Sequence, residues 1–182
     1  RIDKKNGEMI TDFSSIKHYL DYGILKGGVK PIFGLEPVPA ALAIENNSHY
    51  KPANMKLWEE FNYRFIKFLV ETYGREEVLT WIFETGNEPS TEPCFHGRPG
   101  RPDVLNDFLE MQDYTIAGCT RALPDIFIAG PSGPPESFFV PMLEHCAKGT
   151  NYATGQKGTK IDAISYHGYL GGSDRDMSWR QA

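Results

Sequence analysis

The stretch Trp81-Ile82-Phe83-Glu84-Thr85-Gly86-Asn87-Glu88-Pro89 limits what this chain can fold into more than any other. Trp81, Ile82 and Phe83 make a short β-branched and aromatic run, which reads as a strand buried in a parallel sheet. Pro89 has no N–H for a ladder and disfavours helical backbone at the residue before it. The strand therefore ends here, with Glu88 expected in extended backbone. An acid at the carboxyl end of a buried parallel strand stands where α/β proteins place their chemistry. Asn-Glu-Pro alone would fit any exposed loop; the strand before it and the helices around it give it weight.

The rest of the chain repeats this arrangement. Residues 1–11 are polar, with a turn at Asn6-Gly7. Thr11 or Asp12 can cap a helix to about Leu25, whose apolar stripe is Phe13, Ile16, Tyr19, Leu20 and Ile24, and Gly27-Gly28 closes it. Val29 to Leu35 reads as a second buried strand, stopped by Glu36-Pro37. Residues 38–54 are rich in Pro, Ala and Asn and too long for a simple connection, so they form a candidate functional loop. A helix over about Met55 to Tyr73 carries Trp58, Phe61, Phe65, Phe68 and Leu69 at helical spacing, a stripe expected in the core. A breaker-rich loop from Ser90 to Asp103 holds Cys94, Phe95, His96, Arg98 and Arg101. Then come a helix over about Val104 to Leu123, a strand Ile126 to Ala129, a helix over 136–147 and a strand Ile161 to His167. Strict alternation of helix and strand implies parallel strands with right-handed crossovers. The expected fold is α/β, an incomplete (β/α) barrel forming a single domain over residues 1–182.

Composition excludes several roles. A net charge of −5, from 19 basic and 24 acidic residues, speaks against a nucleic-acid binder. No apolar run reaches the ~20 residues of a membrane span, so no membrane is expected as partner. Cys94, Cys119 and Cys146 lie far apart, with neither a disulfide pattern nor metal-ligand spacing. Free thiols, no metal and no cofactor are the expectation. The chain begins at Arg1 with neither an initiator Met nor an apolar signal segment, so processing or truncation is expected to have removed the natural start, and a bacterial cytoplasm or periplasm is the expected compartment.

The candidate site collects at strand ends. Glu88 is the leading general acid, with apolar residues behind it expected to raise its pKa. Asn87 offers an amide to a sugar hydroxyl. Ser165, His167 and Tyr169 close the last strand, where His167 and Tyr169, two apart, should point the same way. Glu36 is a second strand-end carboxylate. It reads as a solvated or salt-bridged acid, or, with neighbouring strands ~4.8 Å apart, as a partner to Glu88. Glu84 lies four residues before Glu88, one layer deeper on the same face, as a supporting group.

At this point the run Arg75 to Pro89 resembles glycoside hydrolase family 39, the β-xylosidase and α-L-iduronidase family. Three further pieces fit in order: Asp12-Phe13-Ser14 with Val29-Lys30-Pro31 and Pro39-Ala40-Ala41-Leu42-Ala43, then Ala129-Gly130-Pro131, then Ser165-Tyr166-His167-Gly168-Tyr169. The resemblance implies barrel strands three to six and retaining hydrolysis. It implies Glu88 as acid/base, with Asn87, His167 and Tyr169 touching sugar. The sequence departs from the family at Gly86, where members usually carry Trp, and at Glu36, where they carry an apolar residue. The family's nucleophile, after the seventh strand, has no counterpart; the last glutamate, Glu144, falls in a predicted helix. The expected function is cleavage of β-xylosides or xylan-derived oligosaccharides, with a catalytically silent sugar-binding remnant as the alternative. Copies of the chain are expected to associate and cover the open barrel face.

Overall fold

A computed structural model describes residues 8–89, 91, 94–100, 103–133 and 136–167. Strands β1 (Ile32–Gly34), β2 (Ile82–Glu84) and β3 (Ile128–Ala129) form a parallel sheet in the order β1-β2-β3. Gly34 pairs with Glu84, and Glu84 with Ala129, so one register line runs across all three. Helix α1 (Ser14–Leu20) precedes β1 and widens into a π-helical turn over Asp21–Lys26. Helix α2 (Met55–Tyr73) and the short α3 (Arg75–Val78) link β1 to β2. Helix α4 (Val104–Ala122) links β2 to β3, and α5 (Glu136–Lys148) follows.

The local causes are visible at the helix ends. The Asn54 side chain accepts the N–H groups of Lys56 and Leu57 at 2.9 and 3.1 Å, filling two of the orphan donors that open α2. Gly74 ends α2 at φ +87°, a conformation that costs glycine nothing. Asp103 caps α4 through the Asn106 N–H, and Asp12 accepts the Ser14 N–H at 3.0 Å where α1 begins.

Two expected strands differ from expectation. Val29 and Ile32 are 56% and 64% exposed, because among the described residues β1 has β2 alone as its neighbour. The run from Ile161 to His167 makes only a single parallel bridge, Ala163 to Ala129. Its first ladder position is taken by a side chain: the Asp162 carboxylate accepts the Ile128 N–H at 2.8 Å where a backbone carbonyl would serve in a strand. The run still follows a strand's path, since Gly130 donates to the Ala163 carbonyl at 2.9 Å.

Apolar residues of α2 and α4 pack on the sheet around Phe65, Ile66, Leu69, Trp81, Phe83, Ile116 and Ile128. The aromatic stripe of α2 is indeed core, and Trp58 is buried with its indole N–H donated to Thr115 Oγ1 at 2.7 Å. A buried knot of charge fixes the two long loops after β1 and β2 to α4. Lys51 is sunk between Asp107 (3.1 Å) and Glu110, while Arg98 reaches the same Asp107 oxygen at 2.8 Å. Alongside it, Lys51 N–H bonds the Gly97 carbonyl and His96 N–H the His49 carbonyl.

Helices α2 and α4 meet closely because Gly118 has no side chain: a Cβ there would lie 2.2 Å from the Glu59 carbonyl oxygen. Gly→Ala inside a helix ordinarily gains about 1 kcal/mol, whereas forcing atoms into a packed contact costs roughly 1–3 kcal/mol. Gly118→Ala should therefore lower the urea midpoint of unfolding, against the sign of helix propensity; a raised midpoint would show that the helices part at no cost.

Candidate active site

The ladder continues past the assigned strand ends, and that continuation builds the site. Thr85 donates to the Ala129 carbonyl at 3.1 Å, Ser132 to Gly86 at 2.8 Å, and Glu88 to Ser132 at 2.7 Å. The turn after β2 is thus locked to the turn after β3. Glu88 does not take the extended backbone expected of a residue before proline. Its φ is +42°, a region that side chains enter only under constraint. Proline excludes the right-handed helical well without choosing among the others. The choice comes from the Ser132 bond on the N–H and from the Glu88 carbonyl, which accepts the Thr91 N–H at 2.8 Å in a turn with Pro89 second.

The Glu88 carboxyl meets His167 Nδ1 at 2.8 Å, with both groups half-buried. Gly133 permits this meeting. At its φ of +75°, a Cβ would stand 2.4 Å from His167 Nδ1 and 2.9 Å from Glu88 Cγ. Asn87, exposed beside them, accepts the Ser132 hydroxyl at 3.1 Å and directs its amide nitrogen to Cys94 Sγ at 3.8 Å. Its own backbone N–H bonds the Glu36 carboxyl.

Glu36 is half-buried, and among the described residues it forms no salt bridge. Burial pushes its carboxyl up to about 7, and the charge of Glu84 adds to that, against the opposing Asn87 hydrogen bond. Its Oε2 would be 3.4 Å from a Cβ on Gly86, so the carboxyl fills space that this glycine leaves open. Burial also raises the Cys94 thiol, with the charges of Glu88 and Glu36 contributing. The two acids and the thiol therefore share one pocket of field, and each charge that reaches Glu36 or Cys94 there is a carboxylate.

Of the residues expected at the site, Glu36, Asn87, Glu88 and His167 come together at the carboxyl ends of the sheet. Glu84 lies below, its carbonyl accepting the Leu35 N–H at 2.8 Å. Tyr169 lies outside the described residues. Sequence reasoning missed Ser132, Gly133 and Cys94; the signal for the first two was Gly130-Pro131-Ser132-Gly133, a breaker run directly after a strand. Among the described residues, no group of three or more His, Cys, Asp or Glu is placed to hold a metal, and no helix is long and apolar enough to cross a membrane.

Parallel strands alternating with helices define an arc of a (β/α) barrel, with an acid, an amide and an imidazole at its carboxyl ends. Solved structures agree on the fold. The bacterial orthologue of human α-L-iduronidase matches 88% of this chain and 25% of its own, with a TM-score of 0.70 and 23% identity. A monomeric β-xylosidase from Caulobacter crescentus CB15 matches 91% of this chain and 32% of its own, with a TM-score of 0.65 and 21% identity. The sequence profile of glycosyl hydrolases family 39 matches residues 2–179, and the chain belongs to that family. Relatives include the β-xylosidase of Caldicellulosiruptor saccharolyticus, 25% identical over 90% of this chain, and human α-L-iduronidase, 30% identical over 60%. The chain spans 32% of the first relative's length and 17% of the second's.

Because Glu36 holds its proton more tightly folded than unfolded, its contribution to stability is intact in acid and lost as pH rises through about 7. Glu36→Gln should leave stability at pH 4 nearly unchanged and raise it at pH 8 by on the order of 1–3 kcal/mol. Urea titrations at the two pH values measure this, and equal shifts at both would place the Glu36 carboxyl in water.

Proposed function

We propose that this chain carries the acid/base side of a retaining glycoside hydrolase site that accepts β-xylosides or xylan-derived oligosaccharides. The observation behind it is the Glu88–His167 contact of 2.8 Å at the strand ends, with Asn87 exposed alongside. In this reading Glu88 gives its proton to the glycosidic oxygen as the bond to the anomeric carbon breaks, then takes one from the water that follows. His167 holds the carboxyl in place. Asn87 binds a sugar hydroxyl, and Tyr169 is assigned to the same sugar.

The choice of a neutral sugar rests on the β-xylosidase relative, which matches 90% of this chain where human α-L-iduronidase matches 60%. A retaining mechanism also needs a second carboxylate ~5–5.5 Å from the acid, ionised when it attacks. Glu36, kept protonated into the neutral range, suits a proton-holding role better than attack. A sugar-binding chain without turnover is the rival, favoured by a Glu36 that holds its proton into the neutral range.

Turnover of an aryl β-xyloside decides between them. Glu88→Gln should lose roughly 10²–10⁴-fold in rate on a poor leaving group while the parent's fold persists; an unchanged rate would remove Glu88 from the role, and sugar binding by a parent with no turnover would establish the rival.

The reading also includes self-association. Val29 and Ile32 at one side, and Ile164 and Tyr166 at the other, are between 56% and 75% exposed, an apolar surface suited to a second copy. Sedimentation at micromolar concentration should show a species larger than 20.5 kDa; a compact monomer would end this part of the proposal.

A further inference from the structure

Glu36 has no part in the acid/base pair, yet it touches the peptide that carries it. Its carboxyl lies over Gly86, at 3.4 Å from where a Cβ would be, and accepts the Asn87 N–H. On the other side, the Ser132 hydroxyl donates to the Asn87 side chain and the Ser132 carbonyl takes the Glu88 N–H. The Gly86–Asn87–Glu88 turn is thus gripped from both flanking strand ends. The β3 grip is neutral, whereas the β1 grip can change charge.

We propose that Glu36 is a positioning residue: from the end of β1 it holds the Asn87 N–H, and so sets Asn87 and Glu88 for the sugar, with a grip that tightens on ionisation. An ionised acceptor makes a shorter and stronger hydrogen bond than a neutral one. The groups facing Glu36 leave it free to act this way. Glu84 from β2, Glu88 from the turn and Cys94 from the following loop are its titratable neighbours, and Phe108 of α4 packs against Gly86 without charge. Among the described residues none of these neighbours is a cation that would fix Glu36 as an anion. Burial places the change near neutrality, at about 7.

The consequence is a site whose Asn87 is better held above neutrality than below it. This role rests on the sugar-binding reading given above, but its geometric half can be tested without sugar. The Asn87 amide resonance should move downfield as pH is raised from 5 to 9, with a midpoint near 7. In Glu36→Gln it should stay flat, since that side chain keeps the acceptor and loses the charge. In Glu84→Gln the titration should persist at a lower midpoint, one repelling charge having been removed. A flat Asn87 amide in the parent, or an unchanged midpoint in Glu36→Gln, overturns the proposal.

The functional half uses xylobiose. Its dissociation constant in the parent should fall roughly two- to fivefold between pH 5.5 and 8.5, as the grip on Asn87 strengthens, and in Glu36→Gln it should not change. An amide that titrates beside xylobiose affinity that ignores pH overturns the positioning role. No xylobiose binding at any pH, beside an amide that titrates as described, overturns the sugar reading and leaves the Glu36 grip standing.

Discussion

The chemistry of this chain depends on a backbone ladder that runs on beyond its strands. Leu35 to Glu84, Thr85 to Ala129, Ser132 to Gly86 and Glu88 to Ser132 form one continuous set of parallel hydrogen bonds across the carboxyl ends of the sheet. Each is worth only about 1 kcal/mol net, but together they convert three separate turns into one rigid floor. Glu88 can hold φ +42° because both its N–H and its carbonyl are engaged. His167 can meet it because Gly130 draws in Ala163, bringing the last run alongside β3. The acid and its imidazole are 79 residues apart in sequence and are joined through the sheet.

Burial does the remaining tuning. The same apolar packing that places Phe83 and Ile128 out of water ends abruptly at the strand ends, and Glu36 sits on that boundary. It is wet enough to ionise and dry enough to resist doing so. Gly86 and Gly133 act there by what they lack. One leaves room for a carboxyl and the other for an imidazole, and both are read correctly only once the neighbours across the sheet are known.

That distinction explains what the sequence made legible. Helix α2 was evident because its apolar stripe recurs at helical spacing, a signal that is local, whereas the capping roles of Asn54 and Asp103 emerged only with the structure. The central strand and the group Asn87, Glu88 and His167 were evident because strand ends followed by breakers mark where parallel sheets expose polar groups. The backbone of Glu88 was not, since proline says only which conformation its neighbour avoids. The thinning of the last strand to one bridge turned on Asp162 reaching the Ile128 N–H, a contact between elements 34 residues apart. The exposure of β1 and the dryness of Glu36 likewise belong to which strands lie beside which, information no single segment holds.

The knot of Lys51, Arg98, Asp107 and Glu110 has a consequence for how this family member can change over time. Its members come from the loop after β1, the loop after β2 and the face of α4, and Lys51 and Asp107 are almost wholly out of water. Loss of one partner strands an opposite charge in the interior, at roughly 3–5 kcal/mol, although replacing the whole set with well-packed apolar residues can cost nothing. The two endpoints are thus both stable and the single steps between them are not. Drift at these positions is accordingly blocked unless several substitutions arrive together, and the loops framing the strand ends inherit that conservatism although none of the four residues belongs to the acid/base pair.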